Sequence, residues 1–170
     1  MKNLLFYRIL TYILLAISGF LTFIVIGSLL AALANPMMLL PVFLLACAII
    51  YSYCSFRFLS RGIDAHMYCR TSLRDLIRVN AIGAMVLGVM MAFNGIALKM
   101  NPALLDQALE QAMEMQHTQM EGMEEMMQAT TRFVVNFILI YGIALVIHIP
   151  LTYRLLRQHA DAFDTPPLDH

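Results

Sequence analysis

Six methionines, Met113, Met115, Met120, Met123, Met126 and Met127, surround His117 within fifteen residues of this 170-residue chain. Thioether sulfurs beside an imidazole form a soft ligand set suited to Cu(I) or Ag(I). A metal reading would use Met113, Met115, His117, Met120 and Met123. The competing reading is an apolar helix seam: Leu109, Gln116, Met123 and Thr130 repeat every seven residues, interleaved with Met113, Met120 and Met127. That is the repeat of a packing stripe. His117, Met115 and Met126 fall off it, and methionine fills irregular gaps and adaptable partner surfaces without a metal. The segment also lacks a regular Met-x-x-Met repeat. Packing or protein contact is the leading expectation here, and copper or silver binding the alternative.

The other reactive residue types offer less. Cys47, Cys54 and Cys69 form no C-x-x-C, whereas quinone-linked membrane thiol oxidoreductases need cysteine pairs close enough to exchange disulfides. Membrane haem proteins need facing histidines, and the apolar segments contain His148 alone. No P-loop, nucleophile elbow or H-E-x-x-H helix occurs. The expectation is therefore no catalytic residue, no cofactor beyond possible copper, and no enzyme. No Asp, Glu, Lys or Arg lies deep inside an apolar segment, against a proton-coupled pump or a charge-lined ion path. His148 reads as structural, snorkelling or bonding a carbonyl freed by Pro150. A small-solute channel formed by an oligomer is weaker still, because a bundle without lining charges offers little selectivity.

The elements that must carry these residues follow from composition. With 61% apolar and 13% charged residues, the chain is richer in apolar side chains than soluble domains are, and the bilayer is its natural solvent. A formal net charge of zero argues against nucleic acid, whose phosphates call for a basic excess. Four apolar segments, about 9–33, 37–56, 79–98 and 133–153, each suffice to cross the hydrocarbon core. The fold expected is all-α, an antiparallel bundle of four transmembrane helices over 1–157, with an amphipathic Met-rich helix in the 99–132 loop and a disordered tail over 158–170. The basic start and the Ala32-Leu33-Ala34 triplet also resemble a signal peptide, but the first apolar run exceeds a signal h-region.

Punctuation sharpens the boundaries. Asn35-Pro36 and Asn101-Pro102 each suit a helix start, Asn capping and Pro occupying the first helical position. Between Arg57 and Arg78, five arginines and two aspartates interleave with Phe58, Leu59, Ile63, Met67 and Tyr68, as in an interfacial segment. Within it, Ser72-Leu73-Arg74-Asp75 fits a capping box opening the third span. Pro150 is expected to kink or loosen the last turn of the fourth.

Orientation follows from basic residues. Lys2, Arg8, the five arginines of 57–78, Arg154 and Arg157 fall on one side, against Lys99 and Arg132 on the other. Both termini are thus expected in the cytoplasm of an inner-membrane protein, with 99–132 outside. Asn80, Ala84, Gly88 and Ala92 repeat every fourth position, a small-residue face that lets helices approach in lipid, and Gly27 with Ala31 repeats the spacing. Asn80, Asn94 and Asn136 are available for interhelical hydrogen bonds. The function expected is a scaffold, assembly or accessory subunit working through helix contacts, with the lipid bilayer and either a second copy or another membrane protein as partners.

Overall fold

The computed structural model describes residues 2–101, 103, 107 and 123–163, and these are helical almost throughout, with no strand among them. Among the described residues, four helices are long and apolar enough to cross a membrane. In chain order they are α1 (Lys2–Ala34), α2 (Leu39–Arg57), α3 (Thr71–Met100) and α4 (Met123–Gln158).

Each helix end has a local cause. Asn35 accepts a hydrogen bond from the Met37 amide through Oδ1 at 3.1 Å, with Pro36 in the position where no amide is needed. A short 3-10 turn, Pro36–Met38, then leads into α2. At its far end α2 does not stop at Arg57 but widens into a π-helical stretch, Phe58–Asp64. Its wider bonding keeps Phe58, Leu59, Gly62 and Ile63 on one buried face. The interfacial segment expected from Arg57 onward is corrected accordingly: its first third prolongs the second span, whereas Met67 and Tyr68 are exposed.

His66 ends the stretch with φ 50°, the left-handed conformation usual after a helix C-terminus. The Met67 amide reaches back to the Arg61 carbonyl at 2.9 Å. α3 then begins at Thr71, so Ser72 lies inside the first turn rather than capping it. Pro150 does not end α4, which runs on to Gln158. The proline removes only the amide that would have bonded Val146, and a single missing bond is tolerated in an apolar helix.

The chain forms two compact units, Met1–Leu87 with Ala144–His170, and Gly88–Ile143. In the first, α1 packs along α2. Gly83 of α3 lets that helix approach α2, since a Cβ at 83 would lie 2.7 Å from the Cβ of Cys47. Order continues past α4: Ala160–Phe163 is a 3-10 turn, and the Cys69 amide donates to the Ala162 carbonyl at 2.8 Å. Phe163 is buried, stacked on Phe58 with centroids 5.5 Å apart and with the Arg74 guanidinium 5.7 Å from its ring centre. Of the tail expected to be disordered over 158–170, Ala160–Phe163 form this turn, and 164–170 lie outside the described residues.

In the second unit, α3 and α4 meet at glycines. A Cβ on Gly142 would stand 2.7 Å from both the Gly88 oxygen and the Ala92 nitrogen, and one on Gly95 2.8 Å from the Cβ of Leu139.

Candidate functional site

Three pairs of polar residues, each spaced i,i+4 and hence on one helix face, converge in the first unit. They are Tyr7 and Thr11 on α1, Tyr51 and Ser55 on α2, and His148 and Thr152 on α4, all buried. The Tyr7 ring lies flat on the imidazole of His148, centroids 4.7 Å apart and planes within 4°. Tyr51 meets the same ring edge-on at 5.7 Å.

The hydrogen bonds determine which nitrogen carries the proton. Thr11 donates its one hydroxyl proton to the Tyr7 carbonyl at 2.8 Å. Toward His148 Nε2, 2.9 Å away, Thr11 Oγ1 must therefore accept, and Nε2 carries a hydrogen. In the neutral imidazole Nδ1 is then an acceptor, and the Tyr51 hydroxyl donates to it at 2.8 Å. Thr152 Oγ1 closes the cluster, 2.8 Å from the Tyr51 hydroxyl, 3.0 Å from the His148 carbonyl and 3.3 Å from the Tyr7 hydroxyl.

This arrangement joins three helices through neutral groups. Among the described residues it holds no carboxylate to orient the imidazole, and His148 is fully buried. Snorkelling is thus replaced by an inward-facing histidine with both ring nitrogens engaged. Burying such a ring without partners would cost several kcal/mol, roughly 2–7 per unpaired polar group. Ser55 is the exception, its buried hydroxyl lacking a partner among the described residues.

Two open features of this unit flank the cluster, and one of them reaches Tyr7. One cleft of about 660 Å³ is lined by Tyr53, Cys54 and Arg57 of α2, Arg61 of the π-helical stretch, Tyr68, Cys69 and Arg70 of the linker, and Ser72, Leu73 and Leu76 of α3. Another, about 340 Å³, lies between the start of α1 and the end of α4 and includes Tyr7, Arg154 and His159. Arg8 pairs with Asp64, the sole ion pair among the described residues. Burial pushes the Cys69 thiol up from its ordinary pKa, while Arg61 and Arg57 pull it down.

The residues singled out by sequence are distributed differently. Met113, Met115, His117 and Met120 lie outside the described residues, and Met123 is the first residue of α4. Of the small-residue face, Asn80 and Ala84 are buried in the first unit, whereas Gly88 and Ala92 receive Gly142 in the second. Asn80 does not bond across helices: its Nδ2 donates to the Leu76 carbonyl of its own helix at 2.9 Å. Asn94 and Asn136 are exposed. Sequence reading overlooked Tyr7, Thr11, Ser55 and Thr152, and Tyr51, which as an aromatic at the end of the second span suits the headgroup level, is instead fully buried. The available signal was polar pairs at i,i+4 in three otherwise apolar helices, a pattern visible only when all the spans are compared.

No protein family, curated protein or solved structure matches this chain.

Proposed function

We propose that this chain is a non-enzymatic, multi-pass inner-membrane protein that acts as a scaffold, assembly or accessory subunit through helix contacts. In this reading the four spans alternate in direction, both termini face the cytoplasm, and segment 99–132 lies outside, as the basic residues favour. One observation carries the reading. The polar centre of the first unit is neutral and spent on joining α1, α2 and α4, which favours a role in holding helices together over one in turnover.

The contact face is chosen by what the helices already use. Gly88 and Ala92 are occupied within the chain by Gly142, so they do not serve a second molecule. Gly27 of α1 is exposed and has nothing within 4 Å of where a Cβ would stand. It lies beside Phe20, Phe23 and Ile24, all exposed. In lipid, a small residue on an outward face permits close approach of another helix.

The test is cross-linking and affinity purification of the full chain from native membranes, comparing wild type with Gly27→Leu. The expected result is a stoichiometric complex, with itself or with another membrane protein, weakened by Gly27→Leu while the fold is retained. A chain that stays monomeric and captures no stoichiometric membrane partner, or that moves solute across proteoliposomes, would overturn the reading.

A further inference from the structure

The 660 Å³ cleft combines three features that a phosphate ester on a lipid would need. The first is charge. Arg57, Arg61 and Arg70 line it with no acidic residue among the lining side chains. All three are exposed, and none forms an ion pair among the described residues. Of the nearby acids, Asp64 is paired with Arg8, and the exposed Asp75 and Asp161 lie outside the lining. Guanidinium groups match phosphate oxygens in bidentate fashion, and Tyr68 and Ser72 add hydroxyl donors.

The second feature is depth. Arg57 and Arg61 stand at the end of one apolar helical span and Arg70 just before the next, which puts the guanidiniums at headgroup level once α2 and α3 cross a bilayer. The third is what lies below. Tyr53 and Leu76 are half-exposed on the cleft walls, and Ile50 and Val79, one turn deeper on the same helices, are exposed too. Below the charged mouth, both helices thus present exposed apolar side chains. A soluble anion needs only the mouth; an amphiphile uses both. Basic pockets between transmembrane helices are suited to anionic headgroups.

We infer that this cleft binds an anionic phospholipid, its headgroup phosphate held by Arg57, Arg61 and Arg70 and its acyl chains laid along Ile50, Tyr53, Leu76 and Val79. The site depends on membrane insertion alone and stands or falls apart from the scaffold reading, because it needs no protein partner.

The experiment uses the full chain in neutral detergent, titrated with phosphatidylglycerol or with phosphatidylcholine of identical acyl chains, and read by native mass spectrometry and thermal shift. A preference on the order of a hundredfold for the anionic lipid is expected, since three arginines each contribute roughly a fivefold factor. R57Q/R61Q/R70Q abolishes the preference, the three-lysine counterpart keeps part of it, and R154Q/R157Q, outside the cleft, leaves it intact. Should the triple variant not fold, Arg70→Gln in the exposed linker must still weaken binding about fivefold. Equal binding of both lipids, or an equal loss in R154Q/R157Q, refutes the site. Inorganic phosphate or glycerol phosphate binding as tightly as the lipid refutes the lipid assignment in favour of a free anion.

Discussion

His148 shows how much a single side chain can organise when no water is at hand. Its two nitrogens bond residues of two other helices and its face stacks on Tyr7. Replacing it with Phe preserves a flat ring but removes two interhelical bonds, leaving Thr11 only its bond to the Tyr7 carbonyl and Tyr51 only its contact with Thr152. Interhelical bonds in membranes are worth about 0.6 kcal/mol on average, and an orphaned buried group costs about 1–3 kcal/mol. His148→Phe is therefore expected to lower stability by roughly 1–3 kcal/mol, and Tyr51→Phe by less, in denaturant unfolding from micelles. A histidine variant as stable as wild type would show the cluster to be incidental. Cys69 gives a pH-dependent counterpart. Because burial raises its pKa, the reactive thiolate accumulates only at higher pH than for an ordinary thiol. In a Cys47→Ser/Cys54→Ser background, maleimide labelling should be slow near neutral pH and accelerate as pH rises. Arg61→Gln should slow it further by removing a charge that favours the thiolate. Labelling at the rate of a free thiol at neutral pH contradicts this.

Among the elements, the glycines of the second unit set how closely α3 and α4 can run. Gly142 faces backbone rather than flexible side chains, namely Gly88 O and Ala92 N. Adding a methyl there forces the helices apart, at a cost of about 1–3 kcal/mol. Alanine's better helix propensity returns only about 1 kcal/mol. Gly142→Ala is thus expected to destabilise the chain, whereas Gly19→Ala, with nothing within 4 Å, should be neutral or slightly stabilising. Unfolding midpoints of the two variants measured side by side provide the check, and equal midpoints would contradict the close approach. The spacing of Asn80, Ala84, Gly88 and Ala92 pointed to helix packing from sequence. Their actual neighbours were not legible there, because a stripe of small residues specifies a close contact without naming the helix that makes it. The π-helical stretch was similarly hidden. Phe58, Leu59, Gly62 and Ile63 recur at i, i+1, i+4 and i+5, a spacing that one face of an α-helix or of a wider π-helix accommodates, so the sequence does not distinguish the two.

At the scale of the whole molecule, the distribution of basic residues gives the remaining prediction. Alkaline phosphatase fused after Lys99 should be active, and fused after Arg157 inactive, with a fluorescent-protein fusion showing the reverse. The opposite pattern would invert the proposed orientation. The apolar segments behind that topology could be read without coordinates, because crossing a bilayer is a matter of length and hydropathy along a contiguous stretch, and four such helices are present. That the chain has no P-loop, nucleophile elbow or H-E-x-x-H helix is likewise read from residue types alone. The soft-ligand set around His117 rests on sequence alone. The His148 cluster and the arginine cleft are of another kind. Tyr7 and His148 are 141 positions apart yet stacked, and the arginines of 57–70 become a site only where a π-helical end, a linker and a helix start surround one space. Both arise from side chains meeting across helices, and hydrophobic periodicity says which face turns inward but not what it will meet.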